Sequence, residues 1–343
     1  MPSIKRAVYH SVAVANNQLG GAKTTIATRT RYGREFADYC LKLGHPLADL
    51  SGIKAQWLEE WIVDLKKSGI GIATVNNKVA AVRALARARK VDMTAAGLSD
   101  SRALGLQKRS REGTKEPATD EVFENAVASA IALGEEGLAH MVKIERFLGL
   151  RGLESMMSTH ALGEYAKQAI KIMGGEPASV YVKKGTKGGR PRHVQVIEKC
   201  AEQTFHAIVE AVKYAKTNNG FLFEGKPGSG LKGARARYHR LAAKIGLIGK
   251  FAPHCLRYRY AIDKVTELVA AGFPLTEALS LASVSMGHGK GRTTFLRQVY
   301  CRSIMSSLPK TTSLQNIQTL ASTLASLDPK GFLDVDHHLP SLM

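Results

Sequence analysis

The apolar residues of this chain recur at helical intervals almost throughout, and strand-like alternation is concentrated in one short region. Residues 179–183 (SVYVK) and 193–197 (HVQVI) alternate apolar and polar side chains on either side of a loop rich in Gly and basic residues, which is typical of a β-hairpin. The other periodic segments place apolar residues three or four positions apart, as amphipathic helices do. We therefore expect a mainly α fold with one small antiparallel sheet.

Two domains of ordinary size are expected from the 343 residues. The boundary between them is predicted at residues 108–117 (KRSREGTKEP), which have no apolar periodicity and combine basic residues with Gly and Pro. The expected order is a loose N-terminal arm at 1–21, a first domain at 22–107, a basic linker at 108–117, a second domain at 118–305 and a tail at 306–343.

Helices are predicted in both domains from apolar spacing and from capping signals. In the first domain they span 24–43, 53–67 and a third segment that begins at a capping Thr74. In the second domain they span 120–133, 137–149, 198–216, 232–246, 255–271, 274–285 and about 293–304. One Ala/Leu-rich helix is expected in the tail, near 312–326.

The charge of the chain points to a polyanionic partner. Lys and Arg exceed Asp and Glu by 20, and the excess is spread over both predicted domains while the tail carries none. A solvated basic surface is the simpler explanation, but an excess of this size favours double-stranded DNA. The candidate DNA-binding residues lie on the third helix, in the linker and in the hairpin loop: Lys78, Arg83, Arg87, Lys108, Arg109, Arg111, Lys184 and Arg190.

Other classes of site and location receive no support from the sequence. The cysteines Cys40, Cys200, Cys255 and Cys301 have no C-x-x-C spacing, so neither a zinc cluster nor a disulfide framework is indicated. No segment reaches the roughly 20 apolar residues of a membrane helix, and the N-terminal apolar patch is too interrupted for a secretory signal. The expected location is the cytoplasm, in association with the nucleoid.

Four short motifs in the second domain contain the residues that could carry chemistry. GLRGLES (149–155) contains Arg151 with Glu154 three residues later, and KKGTKGGRPRHVQV (183–196) contains Lys187 before a Gly-Gly turn. APHCLRYRYA (252–261) places two candidate residues on one helix face, and SMGHGKGRTTFLRQVY (285–300) ends in a tyrosine. The residues that these last two motifs supply are His254, Arg257, His288 and Tyr300.

The order of these residues resembles the pattern Arg–Lys–(His-x-x-Arg)–His–Tyr of the tyrosine recombinase and phage integrase family. Members of this family are site-specific DNA recombinases. The four motifs are similar to the family's Arg, β-hairpin Lys, His-x-x-Arg and Gly-His boxes. RYGREFADYCLKLG (31–44) and ATVNNKVAAVRALARAR (73–89) are similar to its core-binding helices, so the resemblance covers roughly residues 24–304. It implies a helical, SAM-like core-binding domain followed by a mixed α/β catalytic domain.

These residue types suit the cleavage of a phosphodiester. A tyrosine oxygen can attack phosphorus and keep the phosphate as a covalent ester. Arg151 and Arg257 can each donate two parallel hydrogen bonds to phosphate oxygens. Lys187 could protonate the leaving 5′ oxygen, a role that the resemblance also implies, while His254 could take the tyrosine proton and His288 could bind the phosphate. Glu154 is interpreted as supporting, and the scheme needs no cofactor or metal.

Two features of the sequence depart from the family pattern. Family members commonly place the tyrosine about nine residues after the last His, where this chain has Arg297, whereas Tyr300 follows His288 after twelve. Tyr300 is the last tyrosine of the chain and the one that follows His288, so it is assigned as the nucleophile. Lys184 competes with Lys187 for the role of the catalytic lysine, and Lys187 is preferred because the Gly-Gly turn follows it.

The resemblance also implies partners. Two strands would be exchanged in sequence by a homotetramer on two DNA sites, formed from a monomer or weak oligomer, with directionality or DNA-bending proteins as possible accessories. The tail helix would dock on a neighbouring protomer, or pack on its own domain. Two other functions remain open: a catalytically silent DNA-binding accessory protein, and an enzyme similar to type IB topoisomerases.

Overall fold

The computed structural model describes residues 3–108, 110, 113–176 and 178–308. The chain divides into two compact units, Met1–Ser110 and Arg111–Met343, so the division falls within the predicted linker. Most described residues are helical, and the one sheet found among them is a two-stranded antiparallel hairpin. The predicted fold class is confirmed. The helix predicted near 312–326 lies outside the described residues.

Four helices build the first unit: α1 Ile4–Leu19, α2 Lys23–Lys42, α3 Ala55–Lys67 and α4 Ile72–Ala88. The prediction of a loose arm at 1–21 is wrong, because residues 4–19 form α1 and Val8, Val12 and Ala15 are fully buried in the core. These three residues recur at helical spacing, and Ser3 caps the helix by accepting a hydrogen bond from the backbone of Arg6. The helix is therefore held both by its cap and by its apolar face.

The start of α4 also differs from the prediction. Thr74 was expected to cap this helix, but Gly71 occupies the N-cap position and Thr74 lies within the first turn. The buried stripe of α4 includes Val75, Val79 and Val82.

The second unit contains the remaining helices and the hairpin. They are α5 Asp120–Ala132, α6 Glu136–Leu148, α7 Gly152–Met156, α8 Leu162–Met173, β1 Ser179–Val182, β2 Arg192–Gln195, α9 Ala201–Thr217, α10 Gly230–Lys244, α11 His254–Ala270 and α12 Leu275–Ser285. The predicted antiparallel hairpin is present, and in it Ser179 pairs with Gln195 and Val182 with Arg192. The helices α7 and α8 were not predicted.

The core of the second unit lies between α6, α9, α11, α12 and the inner face of the hairpin. Val180, Val182, Val194 and Val196 supply that inner face and are buried. This packing fixes the ends of α6, α11 and α12 and the base of the hairpin relative to one another. None of the helices in the described ranges is long and apolar enough to cross a lipid bilayer.

Candidate active site

Tyr300 lies almost fully buried, and its hydroxyl group is held between two imidazole rings. The hydroxyl oxygen is 2.7 Å from Nε2 of His254 and 3.3 Å from Nε2 of His288. His254 is the first residue of α11, and His288 lies in the turn that follows α12. Three residues that are distant in the sequence and were each predicted to be catalytic are therefore in direct contact.

The ring of Tyr300 is fixed by other aromatic side chains. Its centroid is 4.4 Å from that of Tyr258 and 5.8 Å from that of Phe295, and Phe295 also packs against His288. Such tilted and edge-on contacts are favourable arrangements of aromatic rings. They restrict the direction in which the hydroxyl group can point.

The twelve residues from His288 to Tyr300 form three short turns of different helix type. Lys290–Arg292 form a single 3₁₀ turn, Thr293–Phe295 a helical turn and Leu296–Tyr300 a π-helical turn. The π turn is closed by a hydrogen bond of 3.0 Å from the backbone N–H of Cys301 to the carbonyl of Leu296. These turns bring Tyr300 back to His288 after twelve residues, while Arg297 is exposed.

The guanidinium groups of Arg151 and Arg257 converge on one backbone carbonyl, that of Met286. Arg257 is 1% exposed and donates to the carbonyl oxygens of both Gly149 and Met286. Arg151 donates to the same Met286 oxygen at 3.4 Å. The Nε of Arg257 is buried without a hydrogen-bond acceptor among the described residues. Two cationic groups therefore meet beside His288, in a position suited to an anion.

The end of α6 requires a glycine at position 149. Its φ of +56° lies in the left-handed region, which is typical of a helix C-terminus. A Cβ at this position would lie 2.4 Å from the ring of Tyr260. The glycine thus lets α6 end against α11 and present its carbonyl to Arg257.

Glu154 links Arg151 to a residue that was not predicted, Arg192. The carboxylate is fully buried, accepts bonds from the backbone N–H and Nη1 of Arg151 at 2.8 and 2.6 Å, and accepts two bonds from Arg192 at 2.5 and 2.7 Å. Burial alone would raise the pKa of Glu154, but Arg192, Arg257 and Arg151 together lower it to about 2. Glu154 is therefore ionised and joins the two arginines by its hydrogen bonds.

Both histidines are neutral at neutral pH. Burial, followed by the positive charges of Arg257 and Arg151, lowers the pKa of His254 to about 4 and that of His288 to about 3. A neutral imidazole has one nitrogen that can accept a proton, whereas an imidazolium has none. Either ring could accept the proton of Tyr300, and His254 is closer to it.

Lys187 and its rival Lys184 both lie exposed in the loop between β1 and β2. Lys187 begins a short turn in which Gly188 and Gly189 have φ of +73° and +70°, in keeping with the predicted Gly-Gly turn. The base of the loop lies against α7, since a Cβ on Gly185 would be 2.6 Å from the carbonyl oxygen of Leu153. The loop is thus anchored beside Arg151, but the described contacts do not join either lysine to Tyr300.

The residues predicted to bind DNA have different surroundings. Lys78 is largely buried, pairs with Glu35 and lies over the rings of Tyr32 and Trp61, so its charge is satisfied within its own unit. Arg83 donates to Ser101 and to the carbonyl of Ser99. The remaining described candidates are exposed, namely Arg87, Lys108, Lys184 and Arg190. Arg109 and Arg111 lie outside the described residues.

Residues 113–118, which we call the connecting strand, include the end of the predicted basic linker and pack against the rest of the second unit. The backbone N–H of Gly113 donates to Gln298 at 3.4 Å, and that of Ala118 to Cys255 at 3.1 Å. A Cβ on Gly113 would lie 2.5 Å from the carbonyl oxygen of Val299. The connecting strand therefore touches both the segment that carries Tyr300 and the start of α11.

Two family models match this chain. Residues 6–94 match the family model described as "Phage integrase, N-terminal", and residues 105–263 match the one described as "Integrase". A search of curated proteins found no match.

Two solved structures show the same fold. A variant of the Tn1549 transposon integrase in complex with transposon right end DNA is 16% identical, with a TM-score of 0.55 over 93% of this chain and 99% of that chain. A second variant of that integrase, in complex with a circular intermediate DNA, is also 16% identical, with a TM-score of 0.54 over 93% and 99%. From its family models, its fold and the order of its motifs, the chain belongs to the phage integrase family of tyrosine recombinases and is a site-specific recombinase enzyme.

Proposed function

We propose that this recombinase cleaves and rejoins DNA through a 3′-phosphotyrosyl bond to Tyr300. The observation that carries the proposal is the contact of the Tyr300 hydroxyl group with His254 and His288, next to the paired guanidinium groups of Arg151 and Arg257. A hydroxyl group that could act as the nucleophile, an imidazole that could accept its proton and two guanidinium groups thus lie next to one another. DNA as the partner is supported by the net charge of +20 and by the DNA complexes of the two similar integrases.

The proposed step exchanges one ester for another. The Tyr300 oxygen attacks the phosphorus, and its proton passes to His254. The bond from phosphorus to the 5′ oxygen breaks, and Lys187 gives that oxygen a proton. Attack by a 5′ hydroxyl group on the phosphotyrosine reverses the step and joins the strands, so that no bond energy has to be supplied from outside.

The two arginines and His288 would stabilise the charge that develops on the phosphate. Arg257 has a buried N–H group without a hydrogen-bond acceptor among the described residues, and Arg151 keeps a fifth of its side chain exposed. A bound phosphate could displace the weak contact of 3.4 Å between Arg151 and Met286. Removing one such donor typically slows a reaction by about 10²–10³.

The assembly belongs to the proposal as well. Exchange between two DNA sites requires cleavage of four strands, which four protomers, each carrying one tyrosine, would perform. Exposed basic residues of the hairpin loop and of α4 would hold the DNA backbone. The DNA would be the ends of a mobile element and its target.

A suicide substrate tests the proposal. The DNA carries the element's own end sequences and a nick close to the cleavage point, so that the released fragment diffuses away and the covalent product accumulates. Wild type should give a protease-sensitive, slowly migrating adduct on a denaturing gel, and Tyr300→Phe should give none. Tyr258→Phe is the matched control, because it keeps the ring packed against Tyr300 and should still form the adduct.

The remaining outcomes distinguish the other functions. Tight DNA binding by wild type without any adduct would support a catalytically silent DNA-binding protein. An adduct that forms with Tyr300→Phe would show that another tyrosine is the nucleophile. Relaxation of supercoiled DNA that lacks the end sequences, at a rate equal to that with them, would support a topoisomerase-like activity.

A further inference from the structure

We infer that Arg192 is a positioning residue for the reaction. It fixes Arg151 and the turn that carries His288 relative to one another. This inference rests on the proposed function. Arg192 is the first residue of β2 and is 7% exposed, so its charge lies inside the protein. A buried guanidinium group needs partners, and those of Arg192 all belong to the surroundings of the active site.

Towards α7, Arg192 clamps Glu154. Its Nη1 and Nη2 donate to the two carboxylate oxygens at 2.5 and 2.7 Å, a bidentate pair that fixes the plane of the carboxylate. The same carboxylate receives two bonds from Arg151, one from the backbone and one from the side chain. The orientation of Arg151 is therefore set by Glu154, and that of Glu154 by Arg192.

Towards α12, Arg192 holds the turn that leads to His288. Its Nε donates to the carbonyl oxygen of Ser285 at 3.0 Å. Its Cδ would be 2.8 Å from a Cβ at position 287, where the chain has Gly287 with φ of +69°. Between these contacts lies Met286, whose carbonyl oxygen accepts from both catalytic arginines.

Arg192 also lies at the end of the hairpin loop that carries Lys187. From β2, next to the loop, one side chain therefore contacts two segments that carry predicted catalytic residues: α7 next to Arg151, and the turn with His288. Lysine cannot replace it, because one nitrogen cannot bond two carboxylate oxygens and a carbonyl in a fixed plane. No hydrogen bond of Arg192 reaches Tyr300, so we expect its effect on the reaction to pass through Arg151, through the turn and through its positive charge, which helps to lower the pKa of His288.

The first test compares binding with chemistry. Arg192→Lys and Arg192→Met are assayed with the suicide substrate at saturating protein, where the rate of adduct formation reports chemistry alone. We expect DNA affinity within threefold of wild type and a cleavage rate at least tenfold lower, because a shift of about 1 Å in a catalytic group can cost about 10² in rate. Affinity and rate falling together by the same factor would contradict the inference.

The second test asks whether Arg192 acts through Arg151. Arg192→Met is introduced into a background that carries Arg151→Lys, whose side chain cannot span Glu154 and Met286. If Arg192 works partly by orienting Arg151, its loss should cost a smaller factor in this background than in wild type. An equal fold-loss in both backgrounds would contradict the link from Arg192 to Arg151 that the inference requires.

A buried arginine elsewhere in the same unit provides the matched control. Arg146 is 5% exposed and pairs with Asp263 at 2.8 Å, away from Tyr300. Arg146→Met should lower stability and leave the cleavage rate of the folded protein unchanged. If Arg192→Met does not fold, Arg192→Lys carries the comparison. Failure of wild type to form an adduct would reject the proposed function, whereas an adduct formed at the wild-type rate by both Arg192 variants would reject this inference alone.

Discussion

His254 is neutral in the folded chain over a pH range in which a free imidazole is protonated. In the folded state burial and two arginines hold the pKa of its imidazole at about 4, against an ordinary value of 6.5. Below pH 6.5 the unfolded chain therefore takes up a proton that the folded chain does not. Stability must rise with pH through this window and fall as the pH decreases towards 4.

Replacing His254 should remove this part of the pH dependence. Between pH 7 and pH 5, wild type should lose about 2 kcal/mol more unfolding free energy than His254→Gln, since 2.5 pKa units separate the two states and most of that difference develops above pH 5. Urea unfolding of both proteins at the two pH values measures the difference, because groups that titrate alike in the two proteins cancel. Equal losses would show that His254 titrates normally in the folded state.

Gly149 should tolerate no side chain. Gly149→Ala places a Cβ 2.4 Å from the ring of Tyr260 at a φ of +56°, so the left-handed strain and the overlap add. We expect a loss of about 2–4 kcal/mol in unfolding free energy. Gly134→Ala is the control, because its φ is +69° but no atom lies within 4 Å. A similar loss in both variants would mean that the overlap with Tyr260 relaxes without cost.

The sequence predicted the site residues whose chemistry is recognisable in their local motif. His254, His288 and Tyr300 do meet, although their contacts depend on packing that no motif contains. Arg192 could not be selected, because it stands among other basic residues of the hairpin loop and its partner Glu154 is distant in the sequence. The alternation of β2 was the signal that could have indicated it. Arg192 lies two positions before the apolar Val194, and residues two apart in a strand point to the same side of the sheet.

At the scale of elements, helices with strong apolar spacing were predicted to within a few residues. The helix α1 was missed because its buried face consists of valine and alanine with polar residues between them, a weak stripe that becomes decisive only against α2 and α4. The helix α7 has five residues, too few for a periodic pattern. Arg151 is its N-cap residue, and the Glu154 side chain accepts a hydrogen bond from the backbone N–H of Arg151.

A side chain at position 113 of the connecting strand should slow the cleavage reaction. In Gly113→Ala the added Cβ would overlap the carbonyl oxygen of Val299, next to Tyr300. We expect adduct formation to slow by about 10², because the nucleophile is displaced, while DNA binding changes little. The control is Gly163→Ala on α8, where no atom lies within 4 Å of the added Cβ. A normal cleavage rate in Gly113→Ala would show that the strand and the Tyr300 segment move independently.

At the scale of the whole molecule, the net charge indicated the partner but not the residues that contact it. Lys78, Arg89, Arg146, Arg192 and Arg237 are paired with carboxylates inside their own units. Whether a cation faces solvent or a buried acid depends on tertiary contacts between residues far apart in the chain. The sequence therefore gives the sum of charges, and only the structure separates structural pairs from groups available to phosphate.

The hydrogen bonds of the Tyr300 hydroxyl group have a consequence for stoichiometry. Both imidazoles that contact it come from the same polypeptide, so under the proposed mechanism each protomer would carry its own nucleophile and proton acceptor. Two inactive variants should then be unable to repair one another. A mixture of Tyr300→Phe and Arg151→Ala should form no more adduct than either alone, whereas wild type mixed with Tyr300→Phe should form it in proportion to the wild-type chains. Restored cleavage in the first mixture would mean that the tyrosine is donated between neighbours.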